Sequence, residues 1–403
     1  MSDEMTEDRP LGVAVIGAGM AGAAHAAAWR AATTVRTPLP RPVRLVAVAD
    51  IAEPLARHVA GRFGYERVET DWRALLDAAD VDVVSVVVAN RLHREIVEAL
   101  LAAGKHVLCE KPLADTREDA EAMVAAAETA GPVARLGYTY RRAPGLAALR
   151  ELVTSGALGE IVHLHGRYLA DYACDPQAPM AWRFRGEPGS GALGDVGSHL
   201  LDAAEFLAGP MRAVSGARFR TVVAERPLPL TATVGHGKVA VSEETEPVTN
   251  DDWAGFTADF DGAAGTFEAS RVAAGHPNGL RLEISCRAGA AVWDQENPAE
   301  IQVHTQEIGG AAAASNGFRT VKLGPEHPYI GEGYAMAAPG IGVGQNDGFI
   351  FQARAFLEEV VGLDEEQSWP RCASFAEGLR TLDLIEAVVA SAGDEGRAVS
   401  VAR

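Results

Sequence analysis

The chain has 403 residues, 48% of them hydrophobic, with 36 Lys and Arg against 55 Asp and Glu for a formal net charge of -19, enough length and apolar content for a substantial core in two domains. That acidic balance argues against a nucleic-acid groove, which needs a basic surface to displace counterions from phosphates, and against an anionic membrane surface. Cys109, Cys174, Cys286 and Cys372 lie far apart with no C-x-x-C pair, which suits neither a disulfide framework nor a structural zinc site and fits a reducing cytoplasm.

The opening MSDEMTEDRP is acidic where a secretory leader would be basic, so it reads as a solvated tail. Leu11 to Trp29 holds no charged residue and invites a membrane reading, but four glycines and His25 interrupt it. A strand, a turn and a helix explain it better. Val13 to Ile16 is the strand, Gly17-Ala-Gly19-Met20-Ala21-Gly22 the turn, and an alanine-rich helix follows. In such a turn, amides at a helix N-terminus face a pyrophosphate: Gly17 permits the bend, Gly19 leaves room for phosphate, and Gly22 lets helix pack on strand. The next strand, RLVAVAD (44–50), ends in Asp50, placed to accept hydrogen bonds from an adenosine ribose. Its charge would repel a 2'-phosphate, favouring NAD over NADP. The proline-bearing stretch 33–42 reads as an inserted loop, either plain surface or a flank of the active site.

A helix is expected around Pro54 to Phe63, then an apolar strand, DVVSVVVAN (82–90), of the kind covered on both faces. A helix closed by Gly104 leads into KHVLCEKPLAD, a strand with Glu110-Lys111-Pro112 at its carboxyl end. Ligands in open α/β sheets bind outside the carboxyl ends of the strands, so Gly17, Asp50, Asn90 and Lys111 converge on one crevice. Lys111 is either an exposed residue leading into a proline-started helix or an ammonium held extended by Pro112 to meet a substrate oxygen.

Beyond Val133 a helix to Ser155 and the strand IVHLHGRYLA precede a strand-rich region. The segment 253–272 alternates around Asp261-Gly262 as a β-hairpin, and 281–294 offers two more strands. Helices return at Asp347–Val361 and Phe375–Ser391. The second half is therefore an antiparallel sheet with helices on one face. Within it, GALGDVGSHLLD (191–202) sets Asp195 and His199 four residues apart, on one face of a helix. They form a catalytic pair or, alternatively, a helix cap followed by a buried histidine. Two ligands at i and i+4 do not make a metal site, and no metal is expected.

The stretch Ala103 to Pro112 (AGKHVLCEKP), the stretch Gly191 to Asp202, and Pro370 to Gly378 resemble motifs of the Gfo/Idh/MocA family of nicotinamide-dependent sugar and polyol oxidoreductases. The resemblance spans nearly the whole chain. It implies a Rossmann domain (1–137) with a doubly wound parallel sheet, and an open-faced, mostly antiparallel α+β domain (138–403) that binds substrate and oligomerises. It implies Lys111, Asp195 and His199 as the catalytic set. Cofactor contacts are expected from Gly17, Gly19, Met20, Ala21, Gly22, Asp50, Asn90, His93, Glu110 and Lys111. Substrate contacts are expected from Lys111, Tyr138, Trp182, Arg183, Asp195 and His199. Val88-Ala89-Asn90 departs from the family's common Thr-Pro-Asn, which makes that turn less rigid. Tyr140, like Tyr138, is a pocket wall or an element of packing.

The stretch 315–349, rich in glycine, proline and aromatics, reads as a flap. With the 33–42 insertion it resembles family members that oxidise a pyranose ring hydroxyl, often at C3. The expected activity is NAD-dependent oxidation of a neutral sugar, anhydrosugar or glycoside to a keto sugar. Inositol 2-dehydrogenase, an NAD-dependent redox glycosidase and a non-catalytic dinucleotide sensor are the alternatives. A cytoplasmic homodimer or homotetramer is expected, because an open sheet leaves a face to cover.

Overall fold

The computed structural model describes residues 9–231, 239–305 and 316–401, so most of the acidic opening segment and Ser315 lie outside the described residues. The chain forms two compact units: Met1–Arg142 with Pro328–Ala337 and Gly344–Arg380, and Ala143–His327 with Ala338–Val343 and Thr381–Arg403.

The first unit is built on β1 (Leu11–Ile16), β2 (Val43–Ala49), β3 (Arg67–Glu69), β4 (Val83–Val86), β5 (His106–Cys109) and β6 (Ala134–Leu136). They form one sheet in the order β3-β2-β1-β4-β5-β6 with every pair parallel. β1 and β4 are buried at every position, as expected of strands covered on both faces. Between strands run α1 (Met20–Ala32), α2 (Glu53–Phe63), α3 (His93–Ala102) and α4 (Arg117–Thr129). The reversal of strand order between β1 and β4 is the switch point at which such sheets bind ligands. The region 11–29 is thus strand, turn and helix. The apolar run 82–90, however, is strand only over Val83–Val86, and the chain then bends under the glycine turn. A Cβ on Gly17 would stand 2.0 Å from the Val87 carbonyl oxygen, so Val87 serves that close approach instead of extending the sheet.

The second unit carries α5 (Pro144–Thr154), β7 (Ile161–Leu169), α6 (Ser198–Ala208), β8 (Ala213–Arg220), β9 (Glu225–Pro229), β10 (Val241–Pro247), β11 (Trp253–Asp259), β12 (Ala264–Ser270), β13 (Gly279–Cys286), β14 (Gly289–Asp294), β15 (Glu300–Thr305), β16 (Arg319–Lys322) and β17 (Val399–Ser400). Nine strands run in the order β16-β15-β14-β13-β7-β12-β11-β8-β17, and β9 and β10 form a separate ribbon. Only β7 with β12 is parallel. β13 alternates strictly: Leu280, Leu282, Ile284 and Cys286 are buried, and Arg281, Glu283 and Ser285 face outward. That period of two leaves one face to α5 and α6 and the other polar. The hairpin expected at 253–272 is β11 and β12, with Gly262 at φ 81° in its turn.

Among the described residues three further helices follow, α7 (Pro328–Gly331), α8 (Gln345–Val360) and α9 (Phe375–Gly393). The stretch 315–349 is therefore divided, with β16 in the second unit and Pro328–Ala337 in the first. Aromatic packing explains the return, because Tyr329 stacks on Phe351 at 5.2 Å between ring centroids and meets Trp369 edge-on at 5.0 Å. The 33–42 insertion is tied to the same place. The Arg36 amide donates to the Glu332 carbonyl (2.8 Å), and its guanidinium pairs with Glu332 and with the buried Glu358 carboxylate. Arg354 reaches the Val35 and Thr37 carbonyls at 2.7 and 2.6 Å.

Candidate active site

In the first unit, Gly17 has φ 98°, in the left-handed region that other residues avoid, and a Cβ on Gly22 would come within 1.9 Å of the Gly17 carbonyl oxygen. A Cβ on Gly19 would meet nothing within 4 Å. Gly19 opens α1 with no side chain capping it, so the first-turn amides, those of Met20, Ala21 and Gly22, have no acceptor within the helix. Met20 is 74% exposed beside them. This uncapped, open N-terminus fits an anionic diphosphate. Asp50 follows the end of β2, accepting from the Ala18 amide at 2.7 Å and the Ala52 amide at 2.8 Å. Those bonds fix its carboxylate against the glycine turn, where a ribose hydroxyl would meet it. Dinucleotide and chain are thus complementary at both ends of the turn.

Lys111 follows β5 and Glu110, and the Lys111–Pro112 peptide is cis. The helix that follows starts only at Arg117, so Pro112 does not open a helix. Two histidines hold the neighbouring backbone. His93 is fully buried, with Nδ1 3.1 Å from the Leu113 carbonyl and 3.2 Å from that of Pro112, and Nε2 3.2 Å from that of Val88. Burial pushes its pKa down, against the opposing pull of those carbonyls and of Glu110. Its ring is spent on the loops, so it supports the cofactor side of the sheet through backbone. Glu110 likewise turns inward, to His25 at 2.9 Å. Asn90 opens a short 3₁₀ turn and donates to Asp115 at 2.9 Å. Tyr138 and Tyr140, just beyond β6, are buried.

In the second unit, Leu193–Gly197 is wound as a π-helical turn that continues into α6. Asp195 lies in that turn and His199 one turn later, at the start of α6. Asp195 does not cap the helix. Asp251 does, its carboxylate accepting from the amides of Gly189 (2.8 Å), Gly191 (3.0 Å) and Leu193 (2.9 Å). A Cβ on Gly191 would stand 2.0 Å from the Asp251 carbonyl oxygen, which explains that glycine. Asp195 is thereby released for other work, and its Oδ2 accepts a hydrogen bond from Tyr172 at 2.6 Å. Burial, then the Asp195 charge, raise the Tyr172 pKa well above the ordinary phenol value, so it remains a donor. Tyr168, at the end of β7, lies beside the His199 ring with centroids 6.2 Å apart.

Trp182 is 65% exposed with the Arg183 guanidinium 5.3 Å from its ring centroid. Their loop is fixed from beneath: the Arg183 carbonyl accepts from Arg271 at 2.8 Å and Asn250 at 3.1 Å, and Arg271 and Arg226 stack on Phe184. Sequence reasoning missed Tyr172, Asp251 and Arg271. The Asn250-Asp251-Asp252 run was the available signal, since adjacent acidic residues beside a strand seldom stay unpaired when buried. Among the described residues, no group of three or more His, Cys, Asp or Glu is placed to hold a metal ion, all four cysteines are free, and no helix is long and apolar enough to cross a membrane.

A parallel sheet with an open glycine turn, joined to a sheet domain presenting an Asp-His pair, defines a nicotinamide-dependent oxidoreductase. Residues 11–138 match the oxidoreductase family with an NAD-binding Rossmann fold, and residues 146–292 match the GFO/IDH/MocA C-terminal domain. The chain belongs to the Gfo/Idh/MocA family. It is 38% identical over 389 residues to levoglucosan dehydrogenase of Pseudarthrobacter phenanthrenivorans, covering 96% of this chain and 97% of that one. It is 39% identical over 210 residues to D-glucoside 3-dehydrogenase of Escherichia coli, covering 52% of this chain and 57% of that one. The solved structure of levoglucosan dehydrogenase in complex with NADH and levoglucosan matches with a TM-score of 0.86 and 34% identity, covering 98% of this chain and all of that one.

Proposed function

We propose that this protein oxidises a secondary ring hydroxyl of a neutral sugar, anhydrosugar or glycoside of the levoglucosan kind, giving a 3-keto sugar. When bound, NAD supplies the hydride acceptor. His199 takes the hydroxyl proton, the task suited to an imidazole near neutrality. The Lys111 ammonium stabilises the developing alkoxide. Asp195, aimed by Tyr172, orients the imidazole or accepts a neighbouring hydroxyl. Trp182, Arg183 and Tyr138 are the further substrate contacts. Asp50 gives NAD its advantage over NADP, because a 2'-phosphate would meet its charge.

The observation that carries this reading is the Asp195–Tyr172 bond beside His199: a carboxylate freed from helix capping and aimed by a phenol. Full-length similarity to a levoglucosan-oxidising relative supports it. The test is NAD reduction across levoglucosan, glucose, glucosides and inositols at mildly alkaline pH. NADH formed from pyranose substrates is the expected result. Dinucleotide binding with no NADH from any sugar or cyclitol would favour a sensor, and turnover confined to inositols would move the substrate to cyclitols.

The outward face of the nine-stranded sheet bears a groove of about 660 Å³ lined by His165, Arg167, Thr266, Glu268, Arg281 and Glu283. Its mixed charges suit a second copy of the chain, in a cytoplasmic dimer or tetramer without nucleic-acid or membrane partners. A monomer in sedimentation would end that part of the proposal.

A further inference from the structure

The helix that opens at the glycine turn also carries His25, three residues beyond Gly22, which neither the cofactor cradle nor the chemistry above employs. His25, Trp29 and Ser85 are all buried. The indole Nε1–H of Trp29 lies 2.8 Å from Ser85 Oγ, Ser85 Oγ lies 3.0 Å from His25 Nδ1, and His25 Nε2 lies 2.9 Å from Glu110 Oε1.

Donor chemistry gives this chain a direction. An indole only donates, so Ser85 Oγ accepts from Trp29 and its one hydrogen is available to His25 Nδ1. A carboxylate only accepts, so His25 Nε2 carries a proton, which points at Glu110. The opposite tautomer would set a nitrogen lone pair against a carboxylate oxygen. The other Glu110 oxygen accepts from the Lys111 amide at 3.2 Å. Gly137 makes room for this inward turn, since a Cβ there would stand 2.6 Å from Glu110 Oε1. The ring edge of Phe349 closes over His25, with centroids 5.4 Å apart.

We propose that His25 is a positioning residue for Lys111: the relay Trp29–Ser85–His25–Glu110 anchors the backbone on one side of the lysine, as His93 anchors Pro112 and Leu113 on the other. The helix that would cradle the cofactor therefore also sets the root of the ammonium. The proposal rests on Lys111 acting as assigned above, and its tests separate the two.

Histidine ¹⁵N resonances of the whole protein, with His25 assigned by its loss in His25→Gln, should show a proton on Nε2. A ring without that proton would overturn the relay. A glutamine amide can still donate to Glu110, whereas leucine cannot. His25→Leu should lower kcat about tenfold to a hundredfold, the scale of a misplaced catalytic group, with the sugar KM and NADH Kd within about twofold. His25→Gln should recover most of that loss. In ¹³C-methylated protein the Lys111 signal should move in His25→Leu and return in His25→Gln. A stationary Lys111 signal, or glutamine no better than leucine, would overturn the proposal. If no sugar or cyclitol is oxidised by the unaltered protein, the dehydrogenase reading falls, while the tautomer and the Lys111 signal still decide this one.

Discussion

The loop of Lys111 and the helix of Asp195 and His199 are held by different means. The loop is fixed by two buried imidazoles, His25 and His93, that knit it to elements of the same nucleotide fold. The helix is fixed by side chains from other segments, Asp251 across its N-terminus and Tyr172 on Asp195. A lysine in a loop needs its backbone pinned, because the long side chain brings its own reach. A short carboxylate and an imidazole need the helix itself placed, because they have little reach of their own.

That contrast can be broken experimentally. The largest effect is expected from the chemical groups themselves. Lys111→Ala and His199→Ala should each lower kcat by about 10² to 10⁴, with NADH binding retained when followed by fluorescence titration. Turnover near the unaltered rate in either variant would remove that residue from the catalytic set. Asp251→Ala comes next, because it strips three amides of a charged acceptor. A loss of about 2–3 kcal/mol of unfolding free energy in urea is expected, together with lower kcat. Retained stability with lost activity would instead mean that the carboxylate acts directly on substrate. Tyr172→Phe keeps the ring and deletes one hydroxyl, so kcat/KM should fall about tenfold, equivalent to one charge-assisted hydrogen bond. An unchanged kcat/KM would show that Asp195 needs no such anchor.

The smallest effect concerns pH. His93 and His106 are pushed below the ordinary imidazole pKa by burial, and burial takes His327 to about 4. Below about pH 6.5 the unfolded chain binds protons at these rings that the folded chain refuses, so stability falls as pH drops through that window toward the folded pKa values. Each ring contributes at most about 1.4 kcal/mol per pH unit there. Replacing His93 with Gln should flatten the fall of Tm between pH 6.5 and 5. A slope as steep as before would mean that His93 does not titrate with unfolding.

The legible parts of the fold were those whose signals are local. Gly17, Gly19 and Gly22 between an apolar strand and an alanine-rich helix sit within one βαβ unit, and the hairpin at 253–272 shows its alternation and its turn within twenty residues. The run 82–90 misled because apolarity does not separate a strand from the turn that follows it, and Val87 is a half-buried turn residue whose carbonyl lies against Gly17. Lys111, Asp195 and His199 are proposed on family motifs, whereas the groups that hold their segments in place were not visible in the sequence. Asp251 lies 56 residues beyond Asp195 in the chain. Nothing near either residue in the sequence reveals that one does the capping and so releases the other. The return of 328–337 and α8 to the first unit depends on Tyr329, Phe351 and Trp369 meeting in space, which no spacing in the chain encodes.

Arg36 joins the 33–42 insertion to Glu332 and Glu358, and a guanidinium cannot shed its charge when a partner is lost. The 33–42 insertion and the returning segment 328–337 therefore constitute a single module. Grafting one into a related scaffold without the other would strand an ion in a poorly hydrated place, so shortening, exchange or redesign has to treat them together.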